Sequence, residues 1–287
     1  MPGPRKTLFL LATLILAPAA PAQQRFLPQP NYVQLTPPDQ AEGRRILEEF
    51  RAKGIAGDYF FELQLHILPR RGDERVVSGR LWGMRNEQGP LTRLDLLTDP
   101  AKKTELRLLV QDGPAPAVWR WDGEGAVHPQ DLTALFAPLG DTNLTAFDLQ
   151  MPFLYWTDFV YEGLTRMRGR PAHQFLLRPP PDFVEKYPAL TGVRVYLDTQ
   201  FTALVQAELI GERGEVRKTI SLLELKRVGE QWIPKSLDVR DEATRNKTRF
   251  VVTGAALGLK LPAEVFAPAG LSSSVAPPPA ERIVPVE

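Results

Sequence analysis

The 287-residue chain carries 35 Lys and Arg against 34 Asp and Glu, a formal net charge of +1. That balance gives no electrostatic case for nucleic acid as a partner. The chain has no cysteine, which excludes a disulfide framework, a thiolate metal site and a lipobox for lipid anchoring.

The chain opens with Arg5 and Lys6, an apolar run from Thr7 to Ala17, and Ala20-Pro21-Ala22. This order of charge, grease and small residues predicts a signal peptide over residues 1–22, cleaved near Ala22. The run is too short to cross a hydrocarbon core of about 30 Å, and no later stretch approaches the length that a spanning helix needs. Export into a periplasm is expected, where a cysteine-free chain is at home. Residues 23–35, with Pro28 and Pro30, read as an extended leader. Residues 36–266 read as a single domain. Residues 267–287, with Ser272-Ser-Ser274 and Pro277-Pro-Pro279, read as a disordered Pro/Ala/Ser tail, because that composition cannot bury a core.

One helix opens the domain. Pro37 and Pro38 precede Asp39 as N-cap, Ile46, Leu47 and Phe50 form an apolar stripe, and Gly54 ends it. The period then changes to two. Between Asp58 and Leu68, Phe61, Leu63, Leu65 and Ile67 share one face while Glu62, Gln64 and His66 take the other, the alternation of a half-buried strand. Further strands are predicted at 75–85, 91–97, 106–110, 118–121, 173–178, 193–197, 203–210, 216–226, 232–239 and 247–253. Turn chemistry such as Asp112-Gly113 and Gly211-Glu-Arg-Gly214 separates them, so neighbours pair antiparallel. About eleven strands exceed what one flat sheet holds. The expected fold class is mainly β with few helices: a strongly curved antiparallel sheet forming a half-open barrel.

Between the two strand series lies the densest aromatic stretch of the chain, Pro129 to Gly163. Asp131 can cap a short helix ending at Phe136. The remainder, with Phe147, Leu149, Met151, Phe153, Leu154, Tyr155, Trp156, Phe159 and Tyr161, is too long and apolar for an exposed loop. It can form core, or it can cover the open side of a curled sheet as a lid that touches a ligand.

The search for catalytic chemistry is largely negative. There is no GxxxxGK[ST] loop, no GxGxxG opening a helix, no GxSxG elbow and no HExxH helix. His66, His128 and His173 lack metal-ligand spacing, and Asp141, Asn143 and Thr145 imitate the start of a calcium loop that Ala146 and Pro152 then break. No metal, cofactor or enzymatic activity is expected. Asp148, Asp158 and Glu162 remain the carboxylates that acid–base work would need, and they rank behind a binding role because no nucleophile and base accompany them.

The segments Trp156-Thr-Asp-Phe-Val-Tyr-Glu162, Val193-Arg-Val-Tyr-Leu-Asp198, Leu204-Val-Gln-Ala-Glu208, Gly229-Glu-Gln-Trp-Ile-Pro234 and Leu261-Pro-Ala-Glu-Val-Phe266 occur in an order that resembles the LolA-like periplasmic carriers that sort lipoproteins to the outer membrane. The resemblance covers roughly the last 120 residues of the domain and rests on strands and turns rather than on a chemical motif. It implies a half-open, eleven-stranded barrel closed by helices, an apolar cavity for lipoprotein acyl chains or another lipid, an inner- or outer-membrane partner protein, and an arginine latch on the lid. Relatives of that fold also serve as envelope sensors, so a regulatory or scaffolding module that binds a protein partner with the same sheet is the alternative. On the carrier reading, Phe61, Leu63, Leu65 and Ile67 line the cavity, with Met151, Phe153, Tyr155 and Trp156 at its mouth.

Overall fold

The computed structural model describes residues 37–99 and 104–287. The expected signal peptide and leader lie outside the described residues. Helix α1 spans Gln40–Ala52, and the Asp39 side chain accepts a hydrogen bond from the Ala41 amide at its start. The strands that follow are β1 (Asp58–Leu68), β2 (Arg75–Asn86), β3 (Gly89–Asp99), β4 (Thr104–Gln111), β5 (Ala117–Trp121) and β6 (His128–Pro129). Helix α2 (Ala146–Gln150) comes next, and then β7 (Phe159–Met167), β8 (Arg170–Leu177) and helix α3 (Pro181–Lys186). The chain ends in β9 (Gly192–Asp198), β10 (Leu204–Ile210), β11 (Val216–Val228), β12 (Gln231–Asp241), β13 (Lys247–Leu259) and β14 (Val284–Pro285).

All fourteen strands belong to one antiparallel sheet in the order β6-β5-β4-β3-β2-β1-β13-β12-β11-β10-β9-β8-β7, with β14 beside β13. Two meanders are thus joined by a single long-range pairing, β1 with β13. The sheet does not close, because β6 and β7 stay unpaired to each other as its two edges. These edges are consecutive in the chain, so the segment between them has to bridge the opening.

The alternation in β1 stands as expected. Phe61, Leu63, Leu65 and Ile67 are all buried in the main core under α1 and the bridging segment. Three of the fourteen strands were not foreseen. β7 lies where aromatic density hides the two-residue period, and β6 and β14 are two residues each. α1 seals the β7 edge in a way that its sequence does not announce. Gln40 Nε2 donates to the Tyr161 carbonyl at 2.9 Å and Gln40 Oε1 accepts from the Tyr161 amide at 2.8 Å, so one side chain takes the place of a neighbouring strand. Gly43 permits the approach, since a Cβ there would sit 2.4 Å from Tyr161 Cβ.

The segment from Ala267 departs from the expected disordered tail. It packs against the opposite face of β1–β4 and helps to form a second core with Phe60, Trp82, Leu91 and Leu109, in which Leu271 is 0% exposed. Two arginines of that face hold it in place. Arg93, 0% exposed, donates to the Gly270 carbonyl at 3.1 Å and the Ser273 carbonyl at 2.6 Å, while Asp95 balances its charge at 2.9 Å. Arg107 donates to the Ser272 carbonyl at 2.7 Å and lies 4.5 Å over the Trp121 ring. β14 then pairs with Gly254 and Ala255, on the side of β13 that β12 leaves beyond Val251. A segment poor in apolar residues is ordered here because buried guanidinium donors satisfy its main-chain carbonyls.

Leu271→Ala should cost about 2–5 kcal/mol by emptying a filled site, and Arg93→Met about 3–5 kcal/mol by stranding Asp95 and the carbonyls. Thermal denaturation followed by circular dichroism checks both. A chain ending at Ala267 should melt well below the full chain; an unchanged midpoint would contradict the strapped arrangement.

Candidate functional site

The bridging segment between β6 and β7 folds into three short helical pieces, of which the first, a 3-10 turn over Ala134–Phe136, stands where the sequence predicts a short helix capped by Asp131. Thr145 caps α2 in a reciprocal box with Asp148, whose side chain accepts from the Thr145 amide at 2.9 Å. Met151 then adopts a left-handed conformation with φ 47°, which ends α2 and turns the chain into a 3-10 turn over Pro152–Tyr155. This lid is tied down on three sides. Lys218 of β11 pairs with Asp148 at 2.7 Å, and Gln150 donates to the Gln111 carbonyl of β4 at 3.0 Å. Arg51, in the last turn of α1, donates to the Leu154 carbonyl and, at 3.2 Å, to the Trp156 carbonyl, with its guanidinium 5.6 Å from the Tyr155 ring. Burial lowers the Arg51 pKa and raises that of Tyr155.

Under the lid lies a cavity of about 510 Å³. Its roof comes from the end of α1 and the residues just after it (Phe50, Arg51, Lys53 and Ile55) and from Leu149, Met151, Leu154 and Tyr155 of the lid. One wall carries Pro90 and Asp112; the other carries Leu204, Ile220, Leu222, Leu225, Trp232 and Leu237. In the sheet order these walls lie on opposite sides of the β1–β13 seam, so the cavity runs across the concave face. A groove of about 470 Å³ adjoins it and shares Phe201, Ala203, Leu222, Leu225 and Trp232. Phe201 and Trp232, with ring centroids 6.2 Å apart, stand on the shared rim at 38% and 53% exposure.

Of the residues expected to contact a ligand, Met151 and Tyr155 line the cavity. The other six do not. Phe61, Leu63, Leu65 and Ile67 face inward but are covered by other side chains of the main core. Phe153 and Trp156 turn away from the mouth into an aromatic cluster, where Trp156 meets Phe183 edge-on at 5.2 Å and Phe153 meets Phe147 at 5.9 Å. The reason is geometric. The 3-10 turn that follows Met151 puts Leu154 and Tyr155 over the cavity and Phe153 and Trp156 on its other side, where Phe183 of α3 is the partner of Trp156. The strand residues that do line the void, Leu204, Ile220, Leu222 and Leu237, belong to strands that the sequence showed but whose facing it left open. The exposed rim pair sits at hairpin ends, and only its aromatic character in a turn context could have drawn notice.

One polar group stands out in the walls. Asp112, at the turn after β4, lines the cavity; the residue keeps some exposure, but its Oδ1 is buried without a hydrogen-bond partner. Burial pushes its carboxyl well above the usual carboxylate range, with the positive charge of Arg85 offsetting only part of the effect. The carboxylates considered for acid–base work are engaged separately: Asp148 by Lys218, Asp158 by Arg178 at 3.4 Å, and Glu162 by Arg194 at 2.9 Å. Among the described residues, no group of three or more His, Asp or Glu is placed to hold a metal ion, and no helix is long and apolar enough to cross a membrane.

Comparison with known proteins supports the fold. A family model described only as an uncharacterized protein matches residues 137–273. No curated protein matches the chain. Among solved structures, a DUF1329 family protein from Desulfovibrio piger is 14% identical with a TM-score of 0.70, covering 82% of this chain and 100% of its own. A "putative outer membrane lipoprotein-sorting protein domain" from Vibrio parahaemolyticus is 16% identical with the same TM-score and the same coverage of 82% and 100%. A LolA superfamily protein from Nitrosomonas europaea is 14% identical with a TM-score of 0.58, over 78% and 96% of the two chains. The chain therefore has the LolA-like fold.

Asp112 makes stability depend on pH with a defined sign. Its folded-state pKa lies above the unfolded value of about 3.9, so the native state binds more protons in that window and stability falls as pH rises through it. Asp112→Asn should raise the melting temperature at pH 8, and the gain should shrink as the pH is lowered towards 4. In Trp156→Ala, loss of a buried indole should cost about 3–5 kcal/mol, read by urea denaturation.

Proposed function

We propose that the protein is a non-catalytic carrier of the cell envelope that holds acyl chains of a lipoprotein or another lipid in the cavity beneath the lid. The observation that carries this reading is the cavity itself: a space of about 510 Å³ walled by apolar side chains from two flanks of the sheet and roofed by a lid. Apolar, largely pre-formed cavities of this size are ligand sites. The LolA-like fold and the signal-type sequence at 1–22 support the same reading, in which the chain is cleaved near Ala22 and works in the periplasm.

Burying one acyl chain of about sixteen carbons is worth some 12 kcal/mol gross at about 0.8 kcal/mol per methylene. Two chains, about 24 kcal/mol gross, exceed the practical ceiling of about 18–21 kcal/mol for non-covalent binding. Release into water is then too slow to be useful, so cargo passes directly to another apolar site. The exposed Trp232, Phe201 and Leu223, beside the opening, fit a surface against which a partner protein or a membrane receives the load. The arginine contact from α1 to the Leu154 and Trp156 carbonyls fits a latch that holds the lid over the cavity.

The same exposed rim is the observation that favours the second reading, a regulatory or scaffolding module that binds a protein partner. Native mass spectrometry of the protein purified from its host envelope without detergent separates the two. The carrier reading expects a stoichiometric lipid or acylated peptide. An empty chain that also fails to take up a fluorescent fatty acid would favour the module. Ala203→Trp should fill the shared rim of cavity and groove and lower fatty-acid affinity about tenfold or more with little loss of stability, read by fluorescence titration.

A further inference from the structure

We infer that the groove beside the cavity is a second acyl-chain seat. The lipid that the protein takes then has two chains, one beneath the lid and one in the groove, with its head at the rim of Phe201 and Trp232. This rests on the lipid-carrier reading and specifies the class of lipid.

Three observations converge. First, the two spaces are of similar size, about 510 and 470 Å³, and they share Phe201, Ala203, Leu222, Leu225 and Trp232, so a ligand in one can continue into the other. Second, the groove is built by irregularities in two neighbouring strands. Leu204 pairs with Leu197 and Gln206 with Tyr196, which leaves Val205 as the extra residue of β10. Leu222 pairs with Leu237 and Glu224 with Ser236, which leaves Leu223 as the extra residue of β11. A regular strand sends consecutive side chains to opposite faces, and a bulge re-aims one of them. Leu222 and Leu223, adjacent in sequence, thus both line the groove together with Val205. Third, the charged groups in the lining are already engaged within the protein. Arg170 pairs with Asp198 at 3.4 Å and lies 5.4 Å from the centre of the Phe201 ring, Arg168 donates to the Leu222 carbonyl at 2.9 Å, and Glu224 pairs with Lys235 at 3.3 Å. What the groove offers a ligand is therefore apolar surface, with Phe201, Leu223 and Trp232 exposed until something covers them. A protein segment seated in the groove would leave the cavity unfilled, whereas a two-chain lipid covers both from one head. Aromatic rings suit the junction, where apolar chains meet a wet head.

Isothermal titration calorimetry of the full chain with dodecanoate, a single-chain probe, and with diheptanoylphosphatidylcholine below its micellar concentration tests the assignment. The wild type should take two dodecanoates but one phosphatidylcholine, and the bound phosphatidylcholine should exclude both dodecanoates. Leu223→Asp and Val205→Asn alter only partly exposed positions of the groove, so each should melt close to the wild type. Each should keep one dodecanoate, in the cavity, and bind the phosphatidylcholine about tenfold or more weakly, because one chain loses its apolar seat. A single dodecanoate in the wild type would overturn the assignment, leaving the cavity a one-chain site and the groove to a protein partner. Two dodecanoates retained in both variants would overturn it as well, by placing the second seat elsewhere. Failure of either probe to bind the wild type at all would overturn the carrier reading and the assignment with it.

Discussion

The pairing of β1 with β13 is the contact on which the rest of this structure depends. It joins Asp58–Leu68 to Lys247–Leu259 across most of the domain, and it turns two local meanders into one sheet. Loop-closure entropy has to be met before such a pairing contributes anything. Once it forms, the remaining geometry follows. The sheet edges become β6 and β7, the chain between them becomes the bridge over the concave side, and α1, just upstream of β1, is placed where it can cap β7 through Gln40 and Gly43.

Buried arginines solve a problem that the open sheet creates. The lid and residues 267–283 both cross the sheet without joining its ladder, so their carbonyls need donors from elsewhere. Arg51 serves the lid, and Arg93 and Arg107 serve the segment from Gly270 to Ser273. Guanidinium suits the task because it offers several donors in a fixed plane and stacks on aromatic rings, as over Tyr155, Trp82 and Trp121. The two cases differ in setting. Arg93 is sealed between the sheet and the strap with Asp95 as counter-charge, whereas Arg51 borders a cavity, where its bonds to the lid are reachable from solvent.

The two faces of the sheet are used differently. The outer face around β1–β4 is filled by Phe60, Trp82, Leu109 and Leu271. The inner face is filled beneath the aromatic cluster of Phe147, Phe153, Trp156 and Phe183, and it stays open between Tyr155 and the far wall at Leu222 and Leu237. Filled and open regions thus lie side by side under one lid. The open part is lined mainly by apolar side chains, with Arg51, Lys53 and Asp112 among the lining residues.

Much of this was legible in the sequence. The N-cap at Asp39 and the stripe of Ile46 and Leu47 defined α1, and alternation in Phe61-Glu-Leu-Gln-Leu-His-Ile67 defined β1, because local periodicity directly reflects which face meets water. Fold class followed from the count and spacing of such strands. Doubly covered strands were harder: Leu108 and Leu109 are buried on opposite faces, so β4 shows a run of grease with no period. Only the tertiary structure decided that the Pro- and Ser-rich carboxyl-terminal segment is strapped down, since its partners Arg93 and Arg107 lie more than 160 residues away. It also decided that Met151 and Tyr155 face a void while Phe153 and Trp156 fill one. The type and spacing of residues determine which side chains leave water. Whether an inward side chain meets another or lines an empty space depends on what the opposite wall supplies, and that is a property of the assembled sheet and lid.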